Sequence, residues 1–257
     1  MNPMNPMNLL PALNPSALTG PGNNTWLLDD AEPALIDAGV GVPAHVDAIA
    51  AALGGRTLCR VLVTHGHSDH ASGVPALKRR WPSLDACKWM GAGETAETGD
   101  TGWTNLADGQ QIRAGDALLT VIHTPGHALD HVCFWNAATR DLYAGDMVVR
   151  GTTVMIPGGR GGGLRAYMAS LERMAALAPA RIFPGHGPVI ADPLALIAEY
   201  LEHRRMRDAQ VAACLREGLT DPDAIVARLY PGLPSALLFA ARATIDAHIL
   251  KLREDGL

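Results

Sequence analysis

Short apolar runs alternate along this chain with stretches in which apolar residues recur every three or four positions. The short runs are rich in β-branched and aromatic residues and mostly end at Gly, Pro or Asp, which predicts strands. The predicted strands are residues 26–28, 34–36, 61–64, 117–123, 132–135 and 181–183. The spacings of three and four predict helices over residues 43–53, 71–81 and 164–177. A mixed α/β (α+β) chain of this kind is expected to form layered sheets covered by helices.

The strand pattern ends near residue 193, and the remainder is predicted to be helical. Three helices are expected, over residues 194–217, 221–230 and 235–254, with breaks at Gly218 and at Pro231-Gly232. We therefore predict a main domain over residues 21–199 and a helical C-terminal appendage over residues 200–257. Residues 1–20, which begin with a Met-Asn-Pro repeat, are expected to be poorly ordered.

Composition narrows the class of protein only moderately. With 257 residues, of which 48% are hydrophobic, the chain can bury a substantial core, and its net charge of −5 gives nucleic acid binding no support. No basic leader precedes an apolar run, and no run approaches the roughly 18 apolar residues of a membrane span. We predict a cytoplasmic protein without membrane contact, in which the four cysteines, none in a C-x-x-C pair, are buried thiols.

The strongest chemical signal is the sequence THGHSDH at residues 64–70. It places His65, His67, Asp69 and His70 directly after the apolar run at residues 61–63. A strand end followed by a loop can turn all four side chains toward one point. Imidazole and carboxylate groups together suit zinc, iron or manganese.

Three later positions repeat the same arrangement. His127, Asp146 and His186 each follow a short apolar run and lie beside a glycine, which lets the backbone turn tightly and approach a metal. Seven ligands are too many for one four-coordinate zinc with an open position, but they fit two ions that share a carboxylate. Two such ions lower the pKa of water and polarise the bond under attack, so hydrolysis is the expected chemistry.

These residues resemble the metallo-β-lactamase superfamily, whose His-x-His-x-Asp-His signature is matched without substitution by residues 65–70. The resemblance implies a four-layer αββα sandwich over residues 21–199, with the metals at one edge of the paired sheets, and gives Asp37 a supporting role. It also implies a division of the ligands: His65, His67 and His127 for the first metal, Asp69, His70 and His186 for the second, and Asp146 as the bridge.

Within the superfamily, the opening from Asn14-Pro15 to Trp26-Leu27-Leu28 and the helical end with His203-Arg204 look most similar to the lactamase-β-2-like branch of the lactamase-β-2-like and glyoxalase-II-like hydrolases. The first of these branches includes single-strand endoribonucleases whose tail resembles a winged helix. Here the sequence stops just after the last predicted helix, so the wing strands are expected to be short or missing. From Tyr200 to Leu257, eight Lys or Arg residues face eight Asp or Glu residues, and this balance weakens the transfer of ribonuclease activity.

The leading hypothesis is a metal-dependent hydrolase in which a metal-bridging hydroxide attacks an ester, thioester or lactone-like small molecule. Two zinc ions are the first choice of cofactor, with iron or manganese as alternatives. Asp69 is expected to help orient the nucleophile. His131 is interpreted first as a polar residue that opens the next strand, and the alternatives are a residue that supports the ligands or an acid for the leaving group. The alternatives are a metal-dependent endoribonuclease, with RNA as partner, and a non-enzymatic metal-binding regulator. The oligomeric state stays open.

Overall fold

A computed structural model describes residues 7–16, 19–91, 102–151, 153–158 and 162–257 of the chain. Its strands are β1 Met7–Pro11, β2 Asn24–Leu28, β3 Ala34–Ile36, β4 Arg60–Leu62, β5 Asp85–Lys88, β6 Thr104–Asn105, β7 Gln111–Ala114, β8 Ala117–His123, β9 Val132–Asn136, β10 Asp141–Gly145 and β11 Arg181–Pro184. Its helices are α1 Pro43–Leu53, α2 Ser68–Ala71, α3 Val74–Arg80, α4 Leu164–Ala176, α5 Pro193–Arg216, α6 Pro222–Leu229 and α7 Leu238–Glu254.

The strands form two sheets, which pack face to face. The first has the order β1-β2-β3-β4-β5-β6 and the second the order β11-β10-β9-β8-β7. Leu62 and Trp26 of the first sheet share a buried cluster with Phe134, Tyr143 and Phe183 of the second. Apolar side chains from both inner faces therefore form the central core.

Helices cover the two outer faces of the sheets. Val61 of β4 packs with Ile49 of α1 and Leu77 of α3 outside the first sheet. Outside the second sheet, Leu142 of β10 shares a cluster with Leu171 of α4. The predicted four-layer αββα sandwich is confirmed.

The N-terminal segment differs from the prediction of poor order. Residues 7–11 pair antiparallel with β2, from Met7 opposite Leu28 to Pro11 opposite Asn24. Leu10 packs against the core on the α1 side, and this burial together with the backbone pairing orders a stretch whose Asn and Pro residues gave no strand signal. The Met-Asn-Pro repeat at residues 1–6 lies outside the described residues.

The predicted helix over residues 71–81 is two helices. The first, α2, ends at Ala71, and α3 begins at Val74 with a proline in its first turn, where a missing N–H costs nothing. The ligand motif is thus not a plain loop, because Asp69 and His70 lie within α2.

Helix α5 runs without a break through the predicted domain boundary at residue 200. Its first half packs on the second sheet through Leu196 and Tyr200, and its second half packs with the appendage through Val211 and Cys214. Residues 200–257, all of which are described, contain helices and no strand, as expected for a tail without wings.

Of the four cysteines, Cys59 is partly exposed rather than buried as predicted. Across the described residues, no helix has both the length and the apolar character of a membrane span.

Candidate metal centre

All seven predicted ligands come together at one edge of the paired sheets. The chain reaches this edge at the ends of β4, β8, β10 and β11, and the short helix α2 carries two of the ligands. Three overlapping groups have ligand atoms within 4.8 Å of one another: His65, His67 and His127; His65, His70 and Asp146; and Asp69, His70 and His186.

In the first group, three imidazole rings face one another. His67 Nδ1 lies 2.9 Å from His65 Nε2 and 2.9 Å from His127 Nε2. Three nitrogens directed at one point are a usual arrangement for a catalytic metal that keeps an open position.

The other two groups each include one carboxylate, that of Asp146 or that of Asp69. Asp69 Oδ2 lies 3.4 Å from both His70 Nε2 and His186 Nε2. Asp146 stands between the groups, with Oδ1 3.4 Å from His70 Nε2 and from His186 Nε2, and with Oδ2 3.5 Å from His127 Nε2. Each oxygen of Asp146 therefore faces a different group of ligands.

Unpaired polar atoms show that the cluster fits cations. His70 Nε2 and Asp146 Oδ1 are buried and form no hydrogen bond with any described residue. Buried polar groups without partners are rare and costly, and a metal ion would satisfy both atoms. The backbone of Gly185 also lies close to the ligands, since an added Cβ there would be 2.5 Å from Asp146 Oδ1. Five imidazoles and two carboxylates suit zinc, iron or manganese.

Hydrogen bonds behind the ligands fix the orientation of two rings. His70 Nδ1 lies 2.7 Å from Asp37 Oδ2, and His127 Nδ1 lies 2.8 Å from the carbonyl oxygen of Met155. Since a carbonyl or carboxylate oxygen only accepts, each Nδ1 donates and each Nε2 is left to face the cluster. Asp37 also accepts a hydrogen bond from the backbone N–H of Thr64 at 2.8 Å.

His65, His127 and Asp146 have the charge states that metal binding requires at neutral pH. Burial lowers the pKa values of His65 and His127, which keeps both rings neutral. Burial opposes ionisation of Asp146, but His70 and His186 outweigh it and lower the pKa of the carboxyl group. Burial also works to lower the pKa of His186, yet the neighbouring carboxylates of Asp146 and Asp69 raise it to about 9. A cation bound between these carboxylates would displace protons from His70 and His186, as metal binding commonly does.

His131 lies behind the cluster and not in the cavity. The ring is fully buried, its Nε2 accepts the backbone N–H of Asp146 at 3.2 Å, and its Nδ1 lies 2.8 Å from Thr124 Oγ1. Both ring nitrogens are therefore bonded within the protein. This geometry supports the alternative in which His131 positions a ligand, and it offers no path for a proton to a leaving group.

A cavity of about 550 Å³ opens over the cluster. Its floor includes His67, Asp69 and Asp146, and its rim includes Asn14 and Thr19 of the N-terminal segment. One wall comes from the appendage: Tyr230, Leu233, Leu237, Ala240, Ala241 and Thr244. The described lining contains no Lys or Arg. Nothing in the sequence marks this wall, because all of its residues except Leu233 lie in the ordinary helix patterns of residues 221–230 and 235–254.

Family models match both parts of the chain. The model described as metallo-beta-lactamase superfamily matches residues 18–186, and the model described as beta-lactamase associated winged helix domain matches residues 222–257.

Several curated proteins are similar over most of this chain. The lactamase-like protein adaB of Aspergillus niger is 32% identical, over 94% of this chain and 78% of its own length. The beta-lactamase-like protein 2 homolog of Drosophila melanogaster is 33% identical, over 95% of this chain and 86% of its own. The atrochrysone carboxyl ACP thioesterase of Aspergillus chevalieri is 36% identical, over 79% of this chain and 64% of its own.

Solved structures share the fold. A beta-lactamase domain protein from Burkholderia ambifaria has a TM-score of 0.82 at 22% identity, over 97% of this chain and 86% of its own. A second structure, TTHA1623, was solved in a di-iron-bound form and has a TM-score of 0.57 at 27% identity, over 72% of this chain and 96% of its own.

Proposed function

Because the chain belongs to the metallo-β-lactamase superfamily, we propose that it is a dinuclear metal-dependent hydrolase of ester, thioester or lactone-like bonds, with thioesters as its first substrate class. The observation that carries this proposal is the position of Asp146. Its two oxygens face different groups of ligands, as a carboxylate shared by two ions must.

Two sets of residues would hold the ions: His65, His67 and His127 on one side, and Asp69, His70 and His186 on the other. Divalent ions held there would polarise a substrate carbonyl and supply water of lowered pKa. Zinc is the leading candidate, and the di-iron form of one structural relative keeps iron as an alternative.

Asp69 is the proposed catalytic carboxylate. Its Oδ2 faces His70 and His186, and the residue lines the cavity, so the same group can meet a substrate and a ligand set. The hydrogen bonds and charges of His186 and His70 outweigh burial and lower the pKa of Asp69, so the carboxylate stays ionised and can accept a hydrogen bond from the nucleophile.

Thioesters come first for two reasons. One relative, at 36% identity, is named as an acyl-carrier-protein thioesterase. In addition, the cavity wall from the appendage is mainly apolar, and Leu233 and Leu237 belong to it. Such a wall suits the hydrocarbon body of an acyl group.

The endoribonuclease alternative has less support. Proteins that bind RNA neutralise its phosphates with Lys and Arg, and the described lining of the cavity has neither. The non-enzymatic alternative also has less support, because five of the seven predicted ligands line an open cavity large enough for a substrate: His67, Asp69, His127, Asp146 and His186.

The test combines metal analysis with a substrate panel. The purified protein is expected to hold two metal ions per chain and to hydrolyse acyl thioesters faster than phosphodiesters or single-stranded RNA. An Asp146→Ala variant should lose at least about a hundredfold in turnover, since the shared carboxylate would be gone. The matched control is Asp116→Ala, which lies at the opposite end of the second sheet in the turn between β7 and β8. Wild-type turnover in the Asp146 variant, or no bound metal in the wild type, would refute the proposal.

A further inference from the structure

Helix α5 carries a buried arginine with no acidic partner among the described residues. The Arg204 side chain is 1% exposed, and none of the ion pairs within the described chain includes it. Its guanidinium lies over the Tyr167 ring, 5.3 Å from the centroid, and its Nε has no hydrogen-bond partner. Burying a cation without a carboxylate is costly, so the contacts that Arg204 does make are informative.

Those contacts lead to the metal centre. Arg204 Nη2 donates to the carbonyl oxygen of Val154 at 2.6 Å and to Thr153 Oγ1 at 3.0 Å. The next carbonyl oxygen along the chain, that of Met155, accepts from His127 Nδ1 at 2.8 Å. One segment, residues 153–155, therefore bonds Arg204 on one side and a metal ligand on the other.

A second set of contacts runs through Tyr167, the aromatic partner of Arg204. The Tyr167 hydroxyl donates to the carbonyl oxygen of Met147 at 2.6 Å, directly after Asp146 in the chain. Tyr167 also packs closely on Gly126, directly before His127, where an added Cβ would lie 2.3 Å from Tyr167 Cα. Arg204 thus contacts the supports of two ligands.

We infer that Arg204 is a positioning residue for the ion held by His65, His67 and His127. It holds residues 153–155 so that the Met155 carbonyl fixes His127 with the proton on Nδ1 and the free electron pair on Nε2. Since α5 also packs with the appendage, this contact links the appendage to the affinity of one metal site. The inference rests on the proposed metal centre.

The experiment uses the full chain freed of metal and titrated with zinc alone. In Arg204→Met, one of the two zinc ions should bind about 10–100-fold more weakly by chelator competition, the usual effect of losing a support behind a ligand. Arg204→Lys should restore most of the affinity, because an ammonium group can still donate to the Val154 carbonyl.

Arg207→Met is the matched control. Arg207 is 8% exposed, lies on the same helix and covers the Tyr230 ring at 4.2 Å, with no hydrogen bond to residues 153–155. The Arg207→Met variant should bind two zinc ions with wild-type affinity. A merely structural role for Arg204 would affect both variants alike.

A second measurement needs no metal. The ¹⁵N shifts of the His127 ring in the metal-free protein should show the Nδ1–H tautomer in the wild type and a mixture in Arg204→Met. If that variant does not fold, Arg204→Gln, which is neutral and too short to reach Val154, takes its place with the same expectations. The inference would be overturned if the Arg204 variant bound two zinc ions with wild-type affinity and kept the wild-type tautomer of His127. A wild-type protein that binds no zinc would instead refute the proposed function.

Discussion

Asp37 holds the imidazole of His70 from behind, with Oδ2 2.7 Å from Nδ1 and both side chains buried. Its other oxygen accepts the backbone N–H of Thr64, the residue that precedes the ligand motif. The backbone of Asp37 has a φ of 61°, in the left-handed region that Asp and Asn tolerate better than most residues. One carboxylate therefore orients a ligand and fixes the start of the loop that carries two others.

Replacing Asp37 by Asn tests this support. Asn tolerates the same backbone conformation, but its side chain carries no charge. Its NH₂ group would also face a donor, either the Thr64 N–H or the His70 Nδ1–H, where a carboxylate oxygen now accepts. We expect the affinity for metal to fall by about 10–100-fold. Metal content after dialysis against a graded chelator measures this, with Asp47→Asn on the exposed face of α1 as the control. Equal metal retention in the two variants would show that Asp37 does not support the site.

Replacing His131 distinguishes positioning from acid catalysis. In His131→Leu, the Asp146 N–H loses its partner and the Thr124 hydroxyl keeps only Cys133 Sγ, which should destabilise the fold by about 1–3 kcal/mol and lower turnover. Burial and the nearby His127 hold the pKa of His131 well below its usual range, so the ring stays neutral at pH 7. The remaining activity should therefore keep the pH profile of the wild type.

The control for this prediction is His131→Gln, whose side-chain oxygen can still accept the Asp146 N–H. It should recover part of the lost stability and turnover. If instead both variants lost the alkaline limb of the pH profile, His131 would have to be the acid.

The ligands could be predicted from the sequence because each has a local signal. His127, Asp146 and His186 follow short apolar strands and lie next to glycines, and strand ends of a layered fold meet at one edge. The partners behind the ligands have no such signal. The bond from Asp146 to His131 depends on how β9 pairs with β10, and this pairing is a property of the tertiary structure.

Edge strands were the main omission in the predicted secondary structure. In β7, polar Gln111 and Arg113 alternate with Ile112 and Ala114 over only four residues, too short a run for a period of two to stand out. In β6 both residues are exposed, so no burial pattern marks it. The cavity wall was missed for a different reason: sequence periodicity shows that a helix has an apolar face, but not what that face contacts.

Acid should weaken the contact between α5 and α7. Asp208 Oδ1 lies 2.6 Å from His248 Nδ1, and its Oδ2 lies 2.8 Å from Lys251 Nζ. Burial works to raise the pKa of Asp208, but the hydrogen bonds from His248 and Lys251 outweigh it and lower the pKa. A carboxyl group whose pKa is lower in the folded than in the unfolded protein stabilises the fold at pH values above its unfolded pKa of about 3.9. This stabilisation is lost as the pH falls through the pKa of the folded state.

The free energy of unfolding of Asp208→Asn should therefore be lower than that of the wild type at pH 7, by about 1 kcal/mol once solvent screening is included. This difference should shrink as the pH falls below about 4. Urea unfolding of the metal-free chains at several pH values measures it. Asp246→Asn, whose partner Arg242 lies 3.3 Å away on the exposed side of α7, should change stability by less than about 0.5 kcal/mol. A difference that stayed constant down to acid pH would contradict the assignment.

The wall from the appendage should select for acyl length. Leu237 is 37% exposed and lines the cavity, whereas its neighbour Leu238 is 46% exposed and is not part of the lining. An aspartate at position 237 would place a charge where the body of a long acyl group packs. A loss of about 1 kcal/mol of apolar contact corresponds to a rise of about fivefold in KM.

Leu237→Asp should therefore raise KM for a long-chain acyl thioester. It should leave KM for a short-chain thioester of the same thiol unchanged, because a short chain does not reach the wall. Leu238→Asp adds the same charge one residue away and should change neither value. Equal effects of Leu237→Asp on both substrates would mean that the wall acts on the fold or on the thiol portion, and not on the acyl chain.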